Sequence, residues 1–256
     1  MKRLLIVLLS MLLLIPWAQA ENSGMVADIL FGADSEWSEC SLGDATADAI
    51  AAGTGVEVAV LPALAIRGNL RGGQVTEEEV LRAVDGEMTL AVAEVDKATL
   101  KRLLEDGLSK LTVDVETERL DKAASSSPKF PQISGFALEV NASALVGDRV
   151  WRITMPEQYG DLITLCSSRQ WLEELGIPCK AVEGTPADYL IDYIAWGGLT
   201  DGVETGRIRI LGTLDDNFME GIPPLAVLLV LGVVLVFAVG YVRTNGRPKS
   251  KRYGTR

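Results

Sequence analysis

Ile222–Val242 is a run of 21 residues without a charge, and it decides how much of the chain is left to build a globular core. About 20 apolar residues in a helix cross the hydrocarbon core of a bilayer. The run opens on Pro223–Pro224 and is interrupted only by Gly232 and Gly240. Arg243, Arg247, Lys249, Lys251, Arg252 and Arg256 follow it, with no acid after Glu220. Basic residues beside a span stay in the cytoplasm. The expected arrangement is therefore a single-pass protein of the cell membrane, with a transmembrane helix at 222–242, a basic cytoplasmic tail at 243–256, and the rest outside the cytoplasm. A processed C-terminal sorting signal is the other reading of the same run.

The opposite end is also spoken for. Lys2 and Arg3 precede the apolar run Leu4–Ile15, and Ala18–Gln19–Ala20 offers small residues for cleavage. That pattern predicts a signal peptide over 1–20. The folded ectodomain is then expected over 21–211, joined to the membrane by a short acidic tether at 212–221.

Two of the 24 Lys and Arg lie in the leader and six in the tail, so 16 face all 35 Asp and Glu, a net charge of −19 between the two ends. A field of that sign argues against nucleic acid or anionic lipid as a partner of the surface at large. Anionic ligands bind such a domain only where local arginines override the field. The cysteines are Cys40, Cys166 and Cys179. An odd number in an exported domain pairs two and leaves one, and Cys166 with Cys179 is the expected bridge.

Within the ectodomain, Gly43–Gly73 is the most structured reading. A small-residue helix (Asp44–Ala52, Asp44 as N-cap) runs through Gly53–Thr54–Gly55 into an apolar strand, Val56–Leu61. The chain emerges at Pro62 and reaches Arg67 before the Gly68–Asn69 turn. A cation just past a strand end is a common way to build a ligand site in layered α/β structures. A core strand followed by a surface loop carrying arginines reads equally well.

Further elements follow in order. Met25–Phe31 is a candidate first strand. Thr76 with Glu79 forms a capping box for a helix to Ala83. Met88–Val95 alternates as a strand, and Leu100, Leu103, Leu104 and Leu108 mark a helix over Thr99–Leu108. Val115–Lys129 is polar and reads as an exposed loop. Phe136–Asn141 and Trp151–Met155 flank a Gly147–Val150 turn. Helices are expected over Ser168–Leu175 and Pro186–Ala195, the second with Thr185 as N-cap and Pro186 in its first turn. Gly206–Ile210 closes the domain as a strand. Strands and helices mix without a βαβ period, so the fold class is α+β.

These landmarks resemble the C-terminal domain of the 5′-nucleotidase and UDP-sugar hydrolase family. The resemblance runs through Gly43–Ile50 (GDATADAI), Ile66–Arg67, Gly73–Thr76, Thr99–Leu104 (TLKRLL), Phe130–Gly135 (FPQISG), Gly147–Val150 and Gly206–Ile208, in order over roughly Cys40 to Leu211. It implies a layered α-β-β-α domain that recognises substrate, with arginines on the nucleotide and two aromatic rings around the base. On that basis Arg67 falls on the family's loop arginine, a guanidinium suited to bidentate anion pairing. Asp48 would frame the same nucleotide site from the helix. Tyr159 would stack and Asp161 would bind a ribose, unless Tyr159 is an ordinary surface aromatic. The chain departs from the pattern at Pro62–Ala65, where the family has asparagine and glycines. It departs again at Gly86, at Glu36 and in a shortened Pro156–Asp161 loop.

The family's hydrolysis belongs to a separate metallophosphatase domain, and the mature chain is expected to begin directly at the recognition domain. The 256 residues contain no histidine. That removes His-bearing two-metal sites, Ser–His and Cys–His pairs and His bases from this chain. The acids Glu77–Glu78–Glu79 read as the solvated start of a helix. No catalytic residue, metal ligand or cofactor is assigned. Three functions remain: a non-catalytic nucleotide-recognition or scaffold module, the specificity subunit of a split nucleotidase whose metallophosphatase is a separate chain, or a cell-surface protein-interaction module.

Overall fold

A pair of parallel strands, β2 (Val58–Pro62) and β8 (Leu162–Ser168), forms the centre of the protein in a computed structural model that describes residues 22–213. The leader and the 222–242 run lie outside the described residues. No helix among those described is long and apolar enough to cross a membrane.

All five residues of β2 are buried, so its side chains feed two cores on opposite faces. Val58 and Val60 point into one core, Ala59 and Leu61 into the other. The sheet is completed by β5 (Pro131–Ser134), β4 (Leu90–Asp96) and β9 (Lys180–Ala181), in the order β5-β2-β8-β4-β9. Only the β2–β8 pairing is parallel within it.

The first core lies beneath helix α1 (Ser41–Thr54), helix α6 (Pro186–Ala195) and the shorter α2 (Glu77–Ala83). A two-stranded ribbon of β1 (Asn22–Val26) and β3 (Gly73–Thr76) flanks it. The second core is filled by Leu100, Leu103, Leu104 and Leu108 of helix α3 (Lys97–Gly107) and its C-cap, together with Phe130 and Trp171. Its far side is a three-stranded sheet in the order β10-β6-β7, with β10 (Ile208–Leu211) parallel to β6 (Ala137–Asn141) and β7 (Val150–Thr154) antiparallel to it. Two short helices, α4 (Lys122–Ser125) and α5 (Arg169–Glu174), complete the elements described.

Local chemistry sets several boundaries. The Thr76–Glu79 box is formed reciprocally, and Thr185–Asp188 forms a second one with Pro186 in the first turn. Helix α1 starts earlier than expected. Cys40, not Asp44, is its N-cap, with Sγ accepting from Gly43 N at 3.3 Å, and Asp44 lies inside the first turn. Gly43 lets α1 approach β5: a Cβ there would lie 2.4 Å from Gln132 Oε1. Gly135 turns β5 into β6 at φ 88°, where a Cβ would meet Glu57 O at 2.1 Å. At Gly43 any larger residue would force the buried Gln132 side chain to shift, and at Gly135 it would meet backbone.

Two further expectations are corrected. The 115–129 stretch is not simply an exposed loop. It holds α4, and Ser125 and Ser127 are buried, with Ser125 Oγ and Ser127 N bonding Thr112 O and Glu36 O. Cys166 and Cys179 form no bridge, and all three cysteines are free thiols. The reason is topological: Val92 on β4 pairs with Cys166 on one side and with Lys180 on the other. Two strand spacings, about 9.5 Å, exceed the reach of a disulfide. Burial pushes the Cys40 and Cys166 thiols up to about 12.

Leu104→Ala should cost about 2–5 kcal/mol through the cavity it leaves, read as a lower denaturation midpoint with an unchanged slope. In the folded protein a maleimide should modify Cys179, which is half-buried, and spare Cys40 and Cys166 until denaturant is added. Mass spectrometry of labelled peptides checks this.

Candidate functional site

Because β2 and β8 are parallel, their C-terminal ends share one edge of the sheet, and the antiparallel β4 begins there. Beyond β2 the chain makes a single 3₁₀ turn, Ala63–Ala65, and reaches Arg67. Ala63 and Ala65 are buried, so two methyl groups face the core and Leu64 is left exposed. Backbone bonds fix the loop: Arg67 N donates to Ala83 O and Asp85 N to Ala65 O, both at 2.8 Å.

Arg67 Nη2 then meets Asp85 Oδ2 at 2.8 Å. The other Asp85 oxygen accepts from Glu87 N at 2.6 Å and Met88 N at 2.9 Å. Asp85 is thus a buried carboxylate saturated by its own turn, and it holds the guanidinium from one side. The Arg67 side chain remains 45% exposed. A guanidinium has five N–H donors in a fixed fork, so one ion pair leaves it able to take an anion. Glu36 is carried to the same end. Its carbonyl accepts from Ser127 N at 2.8 Å, and Pro128 O accepts from Leu64 N at 2.8 Å.

The other two candidates lie elsewhere. Tyr159 OH donates to Glu57 O at 2.8 Å, immediately before β2 begins, and its ring packs against the second core. Asp161 is exposed just ahead of β8. Arg67 follows the C-terminal end of β2, while Tyr159 and Asp161 accompany the N-terminal ends. Five residues of strand, about 16 Å, separate the two groups. The structure does not bring the three side chains around one small ligand.

A second polar cluster was not apparent from the sequence. Arg207, at the start of β10, makes a bidentate pair with Asp48 of α1, Nη1–Oδ1 and Nη2–Oδ2 both at 2.7 Å. Ser134 Oγ donates to Asp48 at 2.5 Å, and Arg207 Nη1 also donates to Ile133 O at 2.9 Å. The Glu39 carboxylate accepts from Arg207 N and Ile208 N at 2.8 and 3.0 Å. Asp48 thus serves as a structural anchor between α1, β5 and β10.

One turn before it, Asp44 is fully buried, and neither carboxylate oxygen has a donor. Burial first, then the hydrogen-bonding oxygen and the charge of Glu39, push its pKa up to about 9, against the opposing pull of Arg207. Protonated, Asp44 has a proton to offer Glu39. The only trace in sequence is the i, i+4 spacing of Asp44 and Asp48 on a helix otherwise made of small apolar residues.

The chain belongs to the family described as "5'-nucleotidase, C-terminal domain", whose model matches residues 18–164. Among solved structures it is similar to the 5'-nucleotidase precursor from Thermus thermophilus (TM-score 0.61, 18% identity, covering 82% of this chain and 42% of that one). It is also similar to the sulfate thiohydrolase SoxB of Thermus thermophilus, solved with glycerol (TM-score 0.57, 19% identity, 75% and 35% covered). A third is the NAD nucleotidase of Haemophilus influenzae (TM-score 0.57, 14% identity, 75% and 38% covered). At these identities the likeness is one of fold, and the chain spans less than half the length of each. No curated protein matches it by sequence.

The Asp44 proton gives a pH signature. The unfolded chain releases it near 3.8 and the folded chain near 9. The folded state therefore binds the extra proton between those values, and its stability falls as pH rises through that window. Asp44→Asn should be more stable than wild type at pH 8, with the advantage shrinking towards pH 4. Denaturation midpoints measured across that range check it.

Proposed function

We propose that the chain is a membrane-tethered, extracytoplasmic recognition or scaffold module with a layered α-β-β-α domain, not catalytic by itself. Its ligand-facing part is the sheet edge around Arg67. One observation carries the reading: a half-exposed guanidinium held over the strand ends by Asp85, in a chain without histidine. Such an edge offers a charge-assisted, geometrically defined contact for a phosphate or carboxylate, and the carboxylate beside it, Asp85, is already engaged by Arg67 and by its own turn. Nucleotides enter as ligands because proteins of similar fold include a 5'-nucleotidase and an NAD nucleotidase. A sulfate thiohydrolase shares the fold too, so the ligand class is not confined to nucleotides.

A second reading is favoured by Leu64, which is 61% exposed three residues before Arg67. An apolar side chain beside the ligand-facing arginine suits a contact with a separately encoded metallophosphatase, making this chain the specificity subunit of a split enzyme. Tyr159 and Asp161, at the opposite edge, would then serve a contact other than the one around Arg67.

AMP should raise the melting temperature of the full chain by ligand linkage, and Arg67→Ala should abolish the rise while leaving the unliganded value within a few degrees. The protein alone should release no phosphate from AMP with added Mg²⁺ or Mn²⁺. Metal-dependent hydrolysis by this chain alone would overturn the non-catalytic reading. A melting temperature indifferent to AMP and adenosine would remove the nucleotide and leave the scaffold. Recovery of an exported metallophosphatase with wild type, but not with Leu64→Asp, would favour the split enzyme.

A further inference from the structure

The β6–β7 hairpin ends in a tip, Ser143–Asp148, that carries two of the most exposed aliphatic side chains described. Leu145 is 81% exposed and Val146 63%, and Trp151, the second residue of β7, is 64% exposed. Exposed apolar groups on a floppy loop would mean little, but this tip is fixed at its base. The buried Glu105 of α3 accepts from Arg149 N at 3.1 Å and Val150 N at 2.7 Å. The Arg149 guanidinium, itself buried, donates to Leu108 O and to Ala144 O inside the tip. Asp148 N closes the turn onto Leu145 O at 3.0 Å.

The tip is also tied to the place where the chain departs. β6 and β10 are parallel, so the loop after β6 and the segment after β10 leave the small sheet at the same edge. Ala142 N donates to Leu211 O at 2.9 Å and Ser143 Oγ to Gly212 O at 2.7 Å. Eight residues, 214–221, separate Thr213 from the apolar run that begins at Ile222. At full extension they span about 30 Å, so the edge bearing the tip cannot travel far from that run. Two largely exposed arginines, Arg152 and Arg209, pair loosely with Glu139 of the same sheet, at 3.5 and 3.9 Å.

We propose that this tip is a lipid-contacting loop: Leu145, Val146 and Trp151 enter the interfacial zone of the bilayer and Arg152 and Arg209 meet headgroup phosphates. Tryptophan and arginine suit that zone because each pairs an apolar body with a polar end. Asp148 at the tip opposes anionic headgroups, so apolar insertion, not bulk charge, drives the contact. The inference rests on the anchored reading of residues 222–242.

The test uses the full chain reconstituted in phosphatidylcholine vesicles containing brominated lipid. The fluorescence difference between wild type and Trp151→Phe isolates Trp151. Its emission should be quenched by brominated lipid, and Leu145→Asp/Val146→Asp should lose most of that quenching with an unchanged melting temperature. Carbonate washing tests the anchor separately. Retention in vesicles with an unquenched Trp151 overturns the proposal and leaves the anchor standing. Release by carbonate with Trp151 still quenched on intact vesicles overturns the anchor and supports the loop. A Trp151 shielded from aqueous iodide yet indifferent to brominated lipid assigns the tip to a protein contact and overturns it too.

Discussion

Covering both faces of the β2–β8 pair is the constraint on which the rest of the architecture depends. Parallel strands without a coat on each side would expose apolar surface and backbone together. Here α1, α2 and α6 coat one face, and α3 with the small sheet coats the other. The run Val58–Ala59–Val60–Leu61 alternates between the two: Val58 and Val60 meet the leucines of α3, while Ala59 and Leu61 face the core under α1. Gly43 and the alanines of α1 extend the same logic, since a helix drawn in this tightly has no room for large residues against β5.

Close packing of α1 has an electrostatic cost. The helix carries Asp44 and Asp48 into the interior, and the protein treats them differently. Asp48 is met by donors from Arg207 and Ser134. Asp44 gets none and keeps its proton. Removing one partner from a buried ion pair is far worse than never having had the pair, so Arg207 is held in place by the acid it neutralises. The Arg67–Asp85 pair at the sheet edge is the opposite case, half open to water and able to exchange partners.

Much of this fold is legible in the sequence where local chemistry decides. The Thr76–Glu79 and Thr185–Pro186 signals, the leucine spacing of α3 and the alternation of β6 depend on neighbours within one or two turns. The central strand β8 is not legible, because Ser167 and Ser168 sit where an apolar run is expected. Ser167 survives there by donating to Val60 O at 2.6 Å on the paired strand, a partner 107 residues away. The N-cap fails for a related reason: Asp44 is the better cap by residue type, but Gln132 accepts from Cys40 N and fixes the helix start a turn earlier. Arg67 stands out in the sequence by its place after a strand. Asp85, which orients it, and the separation of about 16 Å from Tyr159 both arise from strand order, which local patterns do not carry.

The pairing of Arg207 with Asp48 also imposes an order on synthesis. Arg207, which pairs with Asp48 of α1, lies 159 positions downstream, immediately before the last described strand. As the chain emerges from its N-terminus, α1 and β2 appear early, yet their charges and the small sheet are completed only when β10 arrives. Contacts of such separation form late and slowly. Until then Asp48 lacks its guanidinium and β6 lacks a neighbour on one edge. A ribosome stalled before residue 207 would therefore hold a chain with nearly all of its elements but with neither the Asp48 pair nor the third strand of the small sheet.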